Sequence, residues 1–306
     1  RRVQCGNNLK QLAAGLAAYH AQFGHFPAAA EHRVNQCTSG FSGGGLPTSF
    51  TDGRPSWGVR ILPFLEQQPL FDRFDFGQPF FGIMCFNPGG CNIEAATTAA
   101  QRVNLPLQQT PVPGFMCPSH PAAGTPMRVE WISPPDGRLV RYDDCGGLRS
   151  MYHGISGGGP DGEAHCYSAP WAGRILPPDR RNFFSNGIFA VNSRTSAAAI
   201  RDGLSTTLLL GEGEVASDHL WSSGARGRTG CAEQGNTLAM QDPVNTVYRP
   251  GTDGRAAMRR CLRSRHPGAA LGAMADGSVH VFGDETSVTV LQVLGKRADR
   301  QPVSWP

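Results

Sequence analysis

The chain has 306 residues, of which 40% are hydrophobic and 17% are charged, and its formal net charge is +4. This length and apolar content are enough for a sizeable folded core and exclude a disordered chain. The basic residues are 26 arginines and two lysines, scattered without a long basic run, which argues against a nucleic-acid-binding protein. No segment of the sequence has the ~20 consecutive apolar residues of a membrane-spanning helix.

A helix over residues 1–23 is the first predicted element. Apolar side chains recur along it at steps of three and four residues, at Cys5, Leu9, Leu12, Leu16, Tyr19 and Phe23. Side chains with this spacing lie on one face of a helix. Those that we expect to pack on the chain's own sheet are Leu9, Leu12, Leu16 and Phe23. Gly24 and Pro27 end the pattern, which divides the chain into an N-terminal helix, 1–27, and a β-rich head, 28–306.

Loops and short helices follow. They are a Gly- and Ser-rich loop over 28–54, a helical region over 56–73, a loop over 77–92 and a short helix over 94–105. Pro63 divides the helical region into two pieces because proline is poorly tolerated inside a helix. Trp57 is predicted to lie in the core. Phe80 and Phe81 are predicted to be partly exposed, where they would contact a neighbouring subunit.

From residue 112 onward the pattern changes to short apolar runs separated by turns. The runs are 127–132, 138–142, 187–191, 206–210, 270–275 and 278–282. Six Asp-Gly dipeptides punctuate the chain, and this pair suits tight hairpin turns. The clearest hairpin is Ala269–Ala275 followed by Ser278–Phe282, with Asp276 and Gly277 at the turn.

A last helix is predicted after the hairpin. Ser287 is placed to cap it, it runs to about Ala298, and Leu291 and Leu294 face inward. The sum predicts an α+β fold, in which one leading helix packs on an antiparallel sheet, with large loop insertions and a C-terminal helix.

Several stretches, taken in order, resemble a pilin-like family that is abundant in planctomycetes and has a prepilin-type N-terminus and a C-terminal His-x9-Asp-Gly signature. They are Arg1–Leu12 with Phe26–Pro27, Ser56–Gln67, Phe115–Ser119, Ile200–Glu212, and Ser264–Gly268 with Asp276–Val279. His266 and Asp276 are separated by nine residues, as the signature requires, and Gly277 completes it. The sequence departs from the family pattern at His120, Thr206, Ala269 and Leu271.

The resemblance implies a pilin or pseudopilin head whose precursor carries a hydrophobic half-helix upstream of Arg1, cut by a prepilin peptidase and anchored in the membrane. It implies export to the cell surface, the extracellular space or the periplasm. It also implies that Cys5 and Cys117, which lie in two of the family-like motifs, form a disulfide between the helix and the body of the protein.

Nine cysteines are many for a protein of the reduced cytosol and favour an oxidised, exported protein. Because the number is odd, at least one thiol is free or pairs between chains. No C-x-x-C pair occurs, which disfavours a structural zinc site. The further pairs considered are Cys85–Cys91, Cys145–Cys166 and Cys231–Cys261, and the alternative is several free buried thiols.

Calcium is the metal that the resemblance to pseudopilin heads suggests, since hard cations take carboxylate and carbonyl oxygens. The candidate ligands are Asp143, Asp144, Asp202, Glu212, Glu214 and Asp276. No D-x-D-x-D-G loop is present, and the alternative is that these are ordinary turn carboxylates. No other cofactor is expected.

Two patterns invite a catalytic interpretation, and we assign catalysis to neither. Gly40–Gly44 and Gly154–Gly158 match G-x-S-x-G, but the strand before and the helix after the serine that this motif needs are not predicted, so these glycines are assigned to turns. His266 and Asp276 would lie roughly 20 Å apart along the hairpin. We therefore expect Asp276 to shape the turn and His266 to anchor the strand start through a hydrogen bond to another segment.

The sequence thus predicts a structural subunit of a surface filament or cell-envelope assembly. Its expected partners are copies of itself or other envelope or pilus proteins, bound through the N-terminal helix, with the membrane reached through the upstream segment. Arg1, Arg2 and Lys10 would meet acidic groups of neighbours or lipid headgroups. The alternatives are a secreted carbohydrate- or partner-binding module and a hydrolase that uses His266 or Glu212.

Overall fold

The structure is a computed structural model, and it describes residues 1–31, 54–80, 98–121, 123, 129–133, 138–142, 148–159, 184–214, 221–222, 236–247 and 259–303. Most of the two predicted loops, 28–54 and 77–92, therefore lies outside the described residues. So do Phe81, Asp143 and Asp144.

Helix α1 spans Arg2–Phe23 and confirms the predicted N-terminal helix. Its buried residues follow the predicted stripe and are Cys5, Leu9, Leu12, Ala13, Gly15 and Leu16. The helix ends at Gly24, whose φ of 76° lies in the left-handed region that glycine adopts without strain. The Gly24 N–H donates to the His20 carbonyl at 2.8 Å, which satisfies one carbonyl of the last turn.

Phe23 was predicted to pack on the sheet with the rest of the stripe, but 50% of this residue is exposed. It lies in the last turn of α1, past Leu16, the last buried residue of the helix. Its ring packs on Tyr19 instead, with the ring centroids 4.4 Å apart. The predicted helical spacing is correct, but the surface of the protein against which the stripe packs ends before the helix does.

The region after residue 56 forms three short helical pieces where two were predicted. They are α2 (Trp57–Arg60), a 3-10 turn (Leu62–Leu65) and α3 (Gln68–Phe71). Pro63 lies in the first turn of the 3-10 piece. Backbone N–H groups in the first turn have no partner within the helix, so a proline there costs no helical hydrogen bond. Trp57 is fully buried, as predicted, and its Nε1 donates to the Asn236 carbonyl at 3.0 Å.

The short helix predicted over 94–105 begins outside the described residues, and its described part contains only a 3-10 turn at Ala100–Arg102 and the first residue of α4 (Leu105–Gln108). A second 3-10 turn, Pro113–Phe115, follows α4. Phe80 was predicted to be partly exposed, and this prediction is wrong, since it is fully buried. Its ring stacks on Phe74 with the ring centroids 5.2 Å apart and contacts the Phe76 ring at 5.7 Å. Phe80 is therefore buried because it packs in an aromatic cluster.

Seven strands form two sheets in the described part of the chain. They are β1 (Val129–Ser133), β2 (Arg138–Tyr142), β3 (Tyr152–Gly158), β4 (Leu208–Glu212), β5 (Thr237–Met240), β6 (Ala269–Met274) and β7 (Val279–Gly283). β1 and β2 pair as a separate antiparallel ladder. The main sheet has the order β5-β3-β4-β6-β7. It is antiparallel except between β3 and β5, which run parallel, so the prediction of a purely antiparallel sheet is corrected.

The β6–β7 hairpin confirms the clearest strand prediction, with Ala273 opposite Val279. β3 and β5 were not predicted, and the run at 187–191 contributes only an isolated bridge between Val191 and Ala30. The glycines of 154–158, assigned to turns from the sequence, lie inside β3 instead.

Close packing explains the glycines of β3. A Cβ on Gly154 would come within 2.7 Å of the Phe189 ring, and one on Gly158 would press against the backbone of Met240. Glycine weakens a strand but allows such close approach. The glycines therefore make β3 hard to recognise from the sequence, and they also allow Phe189 and Met240 to pack closely against this strand.

Two helices cover opposite faces of the main sheet. α1 packs on β4, β6 and β7, and α5 (Val288–Gly295) packs on β3, β4 and β5. On β6, Leu271 belongs to the α1 core whereas Ala270 belongs to the α5 core, as neighbouring strand residues on opposite faces should. The prediction of α+β architecture with a leading helix and a C-terminal helix is confirmed at this level.

The last helix departs from its predicted bounds. Leu291 and Leu294 are fully buried as expected, but α5 ends at Gly295 rather than near Ala298. Ser287 stands at its N-cap without a side-chain capping bond. No helix in the described ranges is both long and apolar enough to span a membrane.

Candidate functional site

A disulfide joins α1 to the segment after α4, and it is the pairing that the resemblance implied. Cys5 and Cys117 are bonded, with their Cα atoms 5.2 Å apart and a sequence separation of 112. Both residues are buried. Asn8, less than a turn further along α1, donates from Nδ2 to the Met116 carbonyl at 2.9 Å. The helix is thus held to this segment by a covalent bond and a hydrogen bond side by side.

The signature histidine lies against this disulfide. His266 Nε2 is 3.9 Å from Cys117 Sγ and 3.2 Å from Glu212 Oε1. Glu212 is the last residue of β4, and its Oε2 accepts the Leu271 N–H of β6 at 2.8 Å. The backbone N–H of His266 donates to Ser264 Oγ at 3.0 Å, which fixes the turn into β6. His266 therefore anchors the start of β6 to another segment, as expected.

Burial controls the charge of this pair. It raises the pKa of the Glu212 carboxyl to about 7, against the opposing effect of the Leu271 N–H. Burial also lowers the pKa of His266, and the positive charge of Arg2 adds to this effect. Both shifts favour the uncharged forms, so burial disfavours a carboxylate–imidazolium ion pair at this contact.

Four side chains that can bind metals converge at this point. The ligand atoms of Cys5, Cys117, Glu212 and His266 all lie within 4.8 Å of one another, and all four residues are buried. They come from α1, from the segment after α4, from β4 and from the turn before β6. Among the described residues, this is the only group of three or more His, Cys, Asp or Glu side chains with such convergence.

The other signature residues lie in the β6–β7 turn and have a different role. Asp276 Oδ1 accepts the Ser278 N–H at 2.9 Å and the Ser278 hydroxyl at 2.6 Å. The Gly277 N–H donates to the Met274 carbonyl at 2.9 Å, and the φ of Gly277 is 86°. Asp276 shapes the turn, as predicted, and lies outside the cluster of four.

The left-handed backbone of Gly277 gives a first prediction. A Cβ at this position meets no atom within 4 Å, so the substitution Gly277→Ala introduces backbone strain alone. We expect Gly277→Ala to lower the free energy of unfolding by about 1–2 kcal/mol, measured by chemical denaturation. Gly277→Asn is the matched control and should cost less, because asparagine tolerates this conformation. Equal stability of the alanine variant and the wild type would contradict the assignment.

The carboxylates predicted as calcium ligands do not come together in the described residues. Asp202 accepts hydrogen bonds from two backbone N–H groups near the C-terminus. Glu214 is surrounded by basic side chains, namely His120, Arg263 and Arg265. Asp276 bonds within its turn, and Glu212 bonds to His266 and Leu271. These carboxylates are engaged by donors of the chain itself, and calcium binding stays a prediction.

The two serine motifs and the other cysteines add little to the site. Ser156, from the second G-x-S-x-G match, is fully buried in β3 and its hydroxyl donates to the Leu238 carbonyl at 3.0 Å. The first match, at 40–44, lies outside the described residues. Cys261 is buried. The remaining cysteines of the proposed pairs lie outside the described residues: Cys85, Cys91, Cys145, Cys166 and Cys231.

A second buried histidine gives a prediction on pH. His153 in β3 is fully buried, its Nε2 donates to the Gly213 carbonyl at 3.1 Å, and burial lowers its pKa from 6.5 to about 4. Between pH 6.5 and about pH 4, His153 therefore binds a proton in the unfolded chain but not in the folded chain. The contribution of His153 to stability is complete above pH 6.5 and should fall by roughly 1–3 kcal/mol as the pH drops towards 4.

The variant His153→Gln should lose this part of the acid dependence, and denaturation curves recorded from pH 7 to pH 4 measure it. Ile155→Val, at a buried position of the same strand with no titratable group, is the control and should keep the wild-type slope. An unchanged slope in His153→Gln would rule out His153 as the source.

Glu212 and His266 were predicted singly, and their contact was missed. The two residues are 54 positions apart, and the contact depends on β4 pairing with β6, where Gly211 lies opposite Gly272. The sequence contains one indication of this contact, since Glu212 and His266 each lie next to a short apolar run of the kind that forms strands. No sequence spacing places either residue against the disulfide.

A family model with the description "Protein of unknown function (DUF1559)" matches residues 1–289. Neither a curated protein nor a solved structure matches the chain.

Proposed function

The chain belongs to the DUF1559 family of proteins of unknown function, and we propose that it is a structural subunit of a pilin- or pseudopilin-like assembly in the cell envelope. The observation that carries the proposal is the attachment of α1, which packs on the sheet along one face and is bonded to the segment after α4 through Cys5–Cys117. A helix held in this way presents its other face at a constant angle to neighbouring subunits.

The outward face of α1 supports the proposal. Its exposed residues include Val3, Lys10, Ala14, Ala17, Ala18 and Ala21. Val3 is 78% exposed, and Phe23 at the other end is 50% exposed. Small side chains let two helix backbones approach closely. This face is the proposed contact with further copies of the chain or with other envelope proteins.

The proposal includes export and a membrane anchor. The sequence of α1 resembles the segment that follows the hydrophobic half-helix of prepilin-type proteins, and a disulfide is typical of oxidising compartments. The native protein would then carry an apolar segment ahead of α1, and Arg1 and Arg2 would lie near the lipid headgroups.

The variant Ala18→Arg tests the assembly surface. In the native full-length protein it should reduce the amount of higher-order assembly recovered after mild detergent extraction, because a long charged side chain separates the helices. Val247→Arg is the matched control, since Val247 is 80% exposed outside α1, and it should assemble as the wild type does. Both variants should keep the wild-type melting temperature. Normal assembly of Ala18→Arg would refute this surface as the contact.

His266 separates the structural proposal from a hydrolase. A structural role predicts that His266→Ala lowers the free energy of unfolding by about 1–3 kcal/mol, because Glu212 is left buried without its partner. Chemical denaturation measures this effect. His280→Ala is the control and should cost less than half as much. Hydrolytic activity that disappears in His266→Ala at unchanged stability would favour the enzyme instead.

A further inference from the structure

The cluster around the disulfide has the composition of a soft-metal site. Two cysteine sulfurs, one imidazole nitrogen and one carboxylate oxygen lie within 4.8 Å of one another. Thiolate and imidazole ligands select zinc and similar metals over calcium and magnesium. We infer that reduction of the Cys5–Cys117 bond converts this cluster into a four-ligand site for Zn²⁺.

The distances in the oxidised protein are already close to those of a tetrahedral site. Bonds of about 2.0–2.3 Å to zinc place neighbouring ligand atoms roughly 3.3–3.8 Å apart. His266 Nε2 is 3.2 Å from Glu212 Oε1 and 3.9 Å from Cys117 Sγ. The main change on reduction is that the two sulfurs move from bonding distance to roughly 3.8 Å, which opens the centre of the cluster.

Hydrogen bonds from neighbouring residues also fix the positions of Glu212 and His266. Glu212 uses Oε2 to accept the Leu271 N–H, which leaves Oε1 directed towards His266. The His266 backbone is fixed by Ser264 Oγ. Such outer contacts orient metal ligands, and here they exist before any metal binds.

The charge around the cluster suits the bound ion. Two thiolates, a carboxylate and Zn²⁺ carry a net charge of −1. Arg2 lies nearby, with its guanidinium donating to the Pro267 carbonyl at 3.2 Å, and its positive charge acts on both Glu212 and His266. The site is therefore electrostatically balanced.

The conversion balances as follows. A dithiol reductant supplies two electrons and two protons to the Cys5–Cys117 bond and is itself oxidised to a disulfide, which leaves two thiols. Zn²⁺ then displaces the thiol protons to solvent, as metal binding to cysteine requires. The oxidised protein offers no thiolates at this point and binds no zinc there.

The test uses the full chain, reduced with a dithiol, freed of it by anaerobic desalting and titrated with Co²⁺ and then Zn²⁺. We expect the visible spectrum of tetrahedral cobalt, with a thiolate charge-transfer band, to reach its end point at one equivalent and to vanish on addition of one equivalent of Zn²⁺. The oxidised protein should not give this spectrum. Its absence from the reduced wild type would overturn the proposal.

Variants assign the spectrum to this cluster rather than to other cysteines. Reduced Cys117→Ser should lose the one-equivalent end point, and an unchanged end point would overturn the proposal. Glu212→Gln keeps both thiols and should bind cobalt at least tenfold more weakly. Glu214→Gln, two residues along and outside the cluster, is its control and should bind as the wild type does. If Cys117→Ser fails to fold, equal affinities of Glu212→Gln and the wild type contradict the proposal.

Discussion

Removal of the Cys5–Cys117 disulfide is expected to lower the free energy of unfolding by about 2–5 kcal/mol. The bond closes a loop with a sequence separation of 112, so in the unfolded chain it restricts a long segment. In the folded chain it fixes α1 to the segment after α4. The double variant Cys5→Ser/Cys117→Ser, unfolded with denaturant under non-reducing conditions, measures the effect.

The single variants provide the internal control for this prediction. Cys5→Ser and Cys117→Ser each break the same bond, so each should cost nearly as much as the double variant. Val3→Ala, at an exposed position of the same helix, should change stability by less than about 0.5 kcal/mol. A double variant as stable as the wild type would show that the bond does not hold α1 in place.

The substitution Leu12→Ala is expected to cost about 2–5 kcal/mol. Leu12 is fully buried in the core between α1 and the sheet. Truncation removes apolar contacts and leaves a cavity that the neighbouring core side chains fill only in part. The free energy of unfolding, measured by denaturant titration, gives the effect directly.

Gln11→Ala is the matched control for Leu12→Ala. Gln11 is the adjacent residue of the same helix and is exposed, so its loss should change stability by less than about 0.5 kcal/mol. A Leu12→Ala variant that loses no more stability than Gln11→Ala would mean that α1 does not depend on the sheet for its position.

Local patterns carried most of the fold that was predicted correctly. The spacing of Leu9, Leu12 and Leu16 gave α1, and Asp276-Gly277 between two apolar runs gave the β6–β7 hairpin. Both signals act over a few residues, where side-chain periodicity and turn chemistry decide the structure. Phe23 and Phe80 were wrong because burial depends on which other segments reach a residue, and sequence spacing does not contain that information.

Long-range packing explains what was missed. β3 reads as a glycine-rich turn, yet Phe189 and Met240 need its glycines to approach closely. The cluster of four was missed for a related reason: its residues converge from four separate segments, and no short sequence motif brings them together. The Cys5–Cys117 pairing was found only because the chain resembles a family in which both motifs recur.

Mass spectrometry of the N-terminus of the native protein, in membrane and cell-surface fractions, tests the proposed assembly role most directly. We expect a mature chain that begins at a methylated residue, with an apolar stretch of about 20–25 residues ahead of α1. A mature chain that begins at Arg1 would contradict the membrane-anchored subunit and would favour a released binding module instead.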